Sequence, residues 1–463
     1  MVFNSRNGAL RRGVALVAVL GITGLGAAQP ALADEIEFQP PPLVPAAPGS
    51  GPLSPSGNFE PTQGCMQANN SGTSVEEKPW SQLTLGFERA HAEGLTGQGS
   101  TVAVIDTGVN EHPRLRLNDG GGSAVPGGGP NQDCDGHGTV VAGIIAAQQS
   151  SDSGFVGVAP DATIMSIRQS SAVYQDKQQN KTIGDTQTMA QAVQYATDRG
   201  VDVINISQSS CQTMAAAMAD GGGYNNRLYN AVKNASDQGV VVVAAAGNTQ
   251  DSCQKNPPGN PVTAVLPAWF DEYVLTVASV GQQGQASEFT VPGPWVDVAA
   301  PGEDLTALDP GSGGTGVVNQ IATGQQGEPG PIQGTSFAAP YVSGLAVLIK
   351  EKFPELTAKQ VMDRIEQTSL SPGGPNGRND ILGHGMIDPM AALSDVVPAE
   401  HGVQPAPAKP ARLSADVIPQ ADWAALTVAF GGALGGIGAV LFTAFLINAR
   451  RTARARSAGT DDD

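Results

Sequence analysis

Apolar residues in this chain fall into short, dense runs separated by stretches with helical spacing. Thr101-Val102-Ala103-Val104-Ile105, Val201-Asp202-Val203-Ile204-Asn205-Ile206 and Val240-Val241-Val242-Val243-Ala244-Ala245 are rich in β-branched residues, and each predicts a buried strand. Residues 189–199 and 226–238 have helix character. Residues 140–147 are small and apolar, as a buried helix requires, and a further apolar helix is predicted from Ser336 through Ile349. Apolar strands alternating with helices predict an α/β fold, a parallel sheet sandwiched between helices. Three low-complexity stretches, 119–131, 169–185 and 311–330, read as surface insertions. No internal repeat is present.

The two ends have a different texture. Arg6, Arg11 and Arg12 precede an apolar run over 14–28, and Ala31-Leu32-Ala33 has the small-x-small pattern of a signal-peptidase site. Residues 1–33 are therefore expected to be a signal peptide. No charge falls between Trp423 and Ala449, so residues 423–449 are expected to form a transmembrane helix. Arg450, Arg451, Arg454 and Arg456 follow at once, which predicts that 450–463 is a cytoplasmic tail. The expected location is the cell membrane, crossed once, with the folded domain on the outer face. That domain spans 80–395. A Pro-rich extension, 34–79, precedes it, and a Pro-rich linker, 396–422, follows.

Composition narrows the partners. A formal net charge of −18 argues against nucleic acid, because phosphate binding needs clustered Lys and Arg. The cysteines, Cys65, Cys134, Cys211 and Cys253, are even in number and lie in a chain read as exported. They predict two disulfides, with three pairings open. None has zinc spacing. No metal site and no cofactor are called for.

Four polar residues stand where catalysis could use them. Asp106 ends a predicted strand in Asp106-Thr107-Gly108, at the carboxyl edge of the sheet where functional groups collect. The same tripeptide marks aspartic proteases, but the single copy here would require a symmetric dimer. On its own it is also an ordinary turn. His137 lies between Gly136 and Gly138 at the start of the small apolar helix; His384 also lies between two glycines but lacks that helix and reads as part of a turn. Ser336 opens a helix, where free N–H groups and the positive dipole end favour an oxyanion, although an isolated serine there is more often a plain cap. Asn248 follows Ala244-Ala245-Ala246-Gly247 at a strand end, where its amide can donate to an oxyanion or simply shape a turn.

Taken together and in the order Asp, His, Ser, these segments resemble the subtilases. The matching stretches are Val104-Ile105-Asp106-Thr107-Gly108, Gly136-His137-Gly138-Thr139, Ala245-Ala246-Gly247-Asn248 and Gly334-Thr335-Ser336-Phe337-Ala338-Ala339-Pro340. The resemblance implies a subtilisin-like fold and a serine endopeptidase acting on protein or peptide substrates. It makes Asp106, His137 and Ser336 the triad, and Asn248 with Ser336 the oxyanion donors. Ser207, Gln208 and Ser209 would line the substrate groove. Because the strands ending near Ile206 and Ala246 are neighbours in subtilases, it also implies Cys211–Cys253, leaving Cys65–Cys134. The order of signal peptide, short extension, peptidase domain, linker, span and basic tail looks like the mycosins, membrane-bound subtilases associated with type VII secretion. That implies membrane components of such a system as partners. A structural role in the complex, with proteolysis secondary, is the competing expectation. The extension is too short and Pro-rich to be the folded pro-domain of many subtilases.

Overall fold

The computed structural model describes residues 53–54, 57–69, 75, 77–178, 181–219, 223–250, 252–323, 328–402 and 423–457. The signal-peptide expectation for 1–33 lies outside these residues, as do linker residues 403–422 and tail residues 458–463.

Among the described residues, seven strands form one all-parallel sheet: β1 (Thr101–Asp106), β2 (Gly122–Ser123), β3 (Thr163–Arg168), β4 (Val203–Ile206), β5 (Val241–Ala245), β6 (Leu275–Val280) and β7 (Val298–Pro301). Their order is β7-β6-β5-β4-β1-β3-β2. β1 pairs with β3 on one side and β4 on the other, so the chain reverses its direction of travel across the sheet at β1. Open α/β sheets offer a crevice at the carboxyl ends of strands where such a reversal occurs. Asp106, the last residue of β1, stands there.

Side chains alternate across β1 as the pleat demands. Val102 and Val104 enter a core shared with α1 (His137–Ala146) and α4 (Thr335–Lys352), while Ala103 and Ile105 enter a second core with α2 (Thr186–Thr197) and α3 (Tyr224–Asp237). Each fully buried Val or Ile contributes about 1.5–3 kcal/mol through removal from water. Apolar side chains are wanted on both faces, so these strands have continuous apolar runs.

Two local features differ from the sequence reading. α2 starts at Thr186 rather than near residue 189, because Asp185 caps it: its Oδ1 accepts the Thr188 N–H at 2.9 Å, and Thr188 Oγ1 accepts the Asp185 N–H in return. The polar first turn conceals the helix from an apolar-period argument. The low-complexity insertions also carry strands. Ser171–Asp176 pairs antiparallel with Lys181–Ile183 and with Glu60–Pro61 of the extension, Gln320–Thr323 pairs with Glu328–Pro331, and β2 lies within 119–131. The first of these ladders buries Val173, Tyr174 and Ile183 in a small third core with Val125 and Cys134, while polar residues fill most of its other positions.

Both implied disulfides are present, Cys211–Cys253 and Cys65–Cys134. The second ties the extension to the loop before α1. The compact unit ends at Glu400. In the separate C-terminal unit, a helix runs over Trp423–Ser457, and within Val428–Arg454 its most apolar 18-residue stretch has mean hydropathy 2.0 and is not buried in the described structure. It is long and apolar enough to cross a membrane. The helix continues past Ala449 because the following arginines are good helix formers.

Candidate active site

The glycines beside His137 have separate physical causes. Gly136 precedes α1 with φ 80°, a left-handed conformation that favours glycine. Gly138 permits close approach, since a Cβ there would stand 2.1 Å from the Gly108 carbonyl oxygen and 3.0 Å from Asp106 Cβ. With α1 pressed onto the end of β1, His137 Nδ1 lies 2.7 Å from Asp106 Oδ1. The Asp106 side chain is fully buried and that of His137 is 23% exposed. Asp106 Oδ1 also accepts the Thr107 N–H at 2.7 Å, and the Gln208 amide lies 3.4 Å from it. Burial pushes the imidazole pKa down, but the charge and hydrogen bond of Asp106, with the charges of Asp133 and Asp135, outweigh it and the net direction is upward. His384 sits in a turn elsewhere, 3.7 Å from Glu366.

Ser336 lies in the first turn of α4, where the helix makes no use of its N–H. Pro340 lies inside this helix and cannot donate to the Ser336 carbonyl one turn back. The Ser207 hydroxyl donates to that carbonyl instead, at 2.7 Å. Ser207 Oγ accepts from Asn205 Nδ2 at 2.9 Å, and Asn205 Oδ1 accepts from Ser343 Oγ at 2.8 Å. A buried polar chain thus anchors the backbone of Ser336 to β4. The Ser207 hydroxyl is committed to it.

Asn248 follows β5. Its Oδ1 accepts from the Thr335 N–H at 2.9 Å and from Thr335 Oγ1 at 3.1 Å. The acceptor end of the amide is therefore pinned, and the NH₂ end is turned away from Thr335. The position a Gly334 Cβ would occupy is 3.3 Å from Asn248 Nδ2 and 3.0 Å from Ser336 Oγ, so a side chain there would crowd both groups. His137, Ser207, Gln208, Ser209, Asn248 and Ser336 line one cleft of about 220 Å³. A larger recess of about 520 Å³, five of whose eleven lining residues are proline, includes no serine, cysteine or histidine.

A hydroxyl at a helix start, an imidazole tied to a buried carboxylate and a pinned amide donor, all in one cleft, are the groups acyl transfer requires. Sequence reasoning missed Thr335, which orients Asn248, and Asp133, which holds the loop before α1. The signal available was their position inside or beside the quoted motifs. Among the described residues, no group of three or more His, Cys, Asp and Glu side chains is arranged to hold a metal ion.

Comparison with known proteins agrees with this geometry. The profile of the subtilase family matches residues 97–385. Mycosin-1 of Mycobacterium tuberculosis is 41% identical over 385 residues, covering 78% of this chain and 83% of that protein. The MycP3 protease of the type VII (ESX-3) secretion system superposes with a TM-score of 0.69 at 35% identity, covering 78% of this chain and all of that one. A chain of an intact ESX-5 inner membrane complex gives a TM-score of 0.69 at 35% identity, covering 88% of this chain and all of that one. The chain belongs to the subtilase family, within it to the mycosins, and is a subtilisin-like serine peptidase.

Proposed function

We propose that the protein is a membrane-anchored endopeptidase that cleaves peptide bonds through an acyl-enzyme on Ser336 and works with a type VII secretion system. The observation that carries the chemistry is the 2.7 Å contact between His137 Nδ1 and the buried Asp106, in the cleft that also contains Ser336. Ser336 Oγ attacks the scissile carbonyl carbon while His137 Nε2 takes its proton. Asp106 holds the tautomer with hydrogen on Nδ1 and stabilises the imidazolium as it forms. The carbonyl oxygen becomes an oxyanion that accepts from the Asn248 amide and the Ser336 N–H. Collapse of this intermediate expels the amine, which receives the proton from His137. Water, deprotonated by the same imidazole, then attacks the acyl carbon, and Ser336 Oγ leaves as the carboxylic acid forms, taking the proton back from His137. Ser207, Gln208 and Ser209 would pair with the substrate backbone along the groove.

The proposed arrangement is a signal peptide at 1–33, the extension 34–79, the peptidase domain 80–395 outside the membrane, the linker 396–422, a span at 423–449 and a cytoplasmic tail at 450–463. The apolar helix with its trailing arginines supports the anchor. The likeness to the MycP3 protease and to a chain of the ESX-5 inner membrane complex supports the association with secretion components. That second likeness also favours a scaffolding role beside proteolysis. Ser336→Ala in the full-length protein separates the two, read by mass spectrometry of exported proteins and by peptide hydrolysis. Hydrolysis should fall by several orders of magnitude in a folded protein, since such residues act as a unit. Near-normal turnover refutes the nucleophile. Lost cleavage with normal export assigns the secretion role to the scaffold.

A further inference from the structure

Asp133 lies four residues before His137 in the chain, within the loop bridged to the extension, and is 1% exposed. All of its lone-pair directions are used. Oδ1 accepts from Thr107 Oγ1 at 2.8 Å and from the Gly136 N–H at 2.7 Å. Oδ2 accepts from the Thr139 N–H at 2.8 Å and from Thr139 Oγ1 at 2.7 Å. The bonds continue outward. Thr107 Oγ1 accepts the Gly138 N–H at 3.0 Å, and Thr139 Oγ1 accepts the Asn110 N–H at 2.9 Å. Asn110 closes on the Asp133 backbone in both directions, at 2.8 and 2.9 Å.

Thr107 is the neighbour of Asp106, and Gly136 and Gly138 are the neighbours of His137. A lone helix cap would serve α1 alone. This carboxylate also grips the turn that ends β1, so it fixes one catalytic partner against the other. We propose that Asp133 is a positioning residue for the reaction: it clamps the Asp106–Thr107 turn to the first turn of α1 and so sets the His137–Asp106 geometry. This rests on His137 acting as the base.

Electrostatics point the same way. The carboxylates that raise the His137 pKa are Asp106, Asp133 and Asp135. Asp133 is itself pushed up to about 6 by burial, against the hydrogen bonds of Thr139 and Thr107 and with a small upward push from Asp106. The four hydrogen bonds it accepts, two of them from backbone N–H groups, favour its ionised form, and that charge favours the imidazolium. Cys134 carries the disulfide, and its carbonyl accepts the Met66 N–H at 2.9 Å, so the extension meets the clamp at the adjoining residue.

The test is Asp133→Asn in the full chain, with kcat and KM measured across pH on a peptide substrate. Asparagine has the same size but accepts at one oxygen only, and its NH₂ faces donors. A displaced base lowers kcat by about 10–10²-fold with KM little changed. The acid limb of kcat/KM should move to lower pH, because a negative charge favouring the imidazolium is lost. Thr107→Val removes one strut and keeps the charge, so kcat should fall while the limb stays. A folded Asp133→Asn protein with wild-type kcat and limb overturns the proposal, even if its melting temperature is lower. If Asp133→Asn does not fold, wild-type kcat in Thr107→Val overturns it. Failure of the underlying mechanism is separately visible as activity retained in Ser336→Ala.

Discussion

Replacing Asn248 tests whether its amide is pinned for the transition state. The side chain has two ends with different duties. Oδ1 holds the backbone N–H and hydroxyl of Thr335, a residue with no exposed surface, and Nδ2 is the donor proposed for the oxyanion. Asn248→Ala removes both. Losing one oxyanion donor costs about 10²–10³ in kcat, or about 2.7–4 kcal/mol, with little change in KM. It also strands the buried Thr335 N–H, at about 1–3 kcal/mol of stability. The Thr335 hydroxyl can rotate to another acceptor and adds less. In a domain of about 300 residues each kcal/mol lowers Tm by about 1.5 °C. Asn248→Asp separates the duties. An aspartate keeps an acceptor for Thr335, and the site is only half-buried, so its charge remains hydrated. It places an oxygen where the oxyanion needs a hydrogen. Asn248→Asp should thus lose at least as much kcat as the alanine variant while melting closer to wild type. Steady-state kinetics on a peptide substrate with calorimetry on the same samples reads both effects. A raised KM at unchanged kcat in Asn248→Ala refutes the oxyanion role. An aspartate variant that melts below the alanine variant refutes the Thr335 anchor.

Two further outcomes are expected. Burial pushes Glu366 up to about 7, and burial with the charge of Asp271 raises Asp297. These two groups hold protons in the folded state that the unfolded chain has released between about pH 4.5 and 7, so their contribution to Tm should fall as pH rises through that window. Glu366→Gln should flatten the decline in a calorimetric series, and a Tm that rises with pH contradicts the account. Deleting residues 34–74, with Cys134→Ser to remove the stray thiol, should lower stability. The bridge spans a sequence separation of 69, worth about 4 kcal/mol in the chain-entropy view. Peptidase activity should be unchanged or reduced, because the extension braces the loop before His137; a sharp gain in activity would make it an inhibitor instead.

The parts of the fold legible in the sequence are those where one residue type answers one physical demand. β1, β4 and β5 are buried on both faces, so their runs had to be continuously apolar, and they could be read directly. The strands at Ser171–Asp176 and Lys181–Ile183 were read as loop because their few buried apolar residues, Val173, Tyr174 and Ile183, lie among polar ones and form no long continuous run. The start of α2 was misplaced because its cap is a reciprocal bond between Asp185 and Thr188, with no apolar period to announce it.

Within the site, what stayed hidden are relations between distant residues. The Asn248 in Ala246-Gly247-Asn248 could be named as a donor, yet its orientation depends on Thr335, and no local pattern links the two. Pro340 shows the same logic more sharply. Read locally, a proline in a helix is a cost, since it leaves the Ser336 carbonyl without its partner. In the folded chain that vacancy is filled by Ser207, the residue after β4, itself held by Asn205, which Ser343 holds in turn. The missing helical bond is what lets the sheet take hold of Ser336, the residue proposed as the nucleophile. Ser336 is thereby fixed to the central sheet, on which Asp106 also stands, while α1 carrying His137 packs against the end of that sheet. The proline that weakens the helix in isolation is thus part of how serine, histidine and aspartate come to share one rigid support.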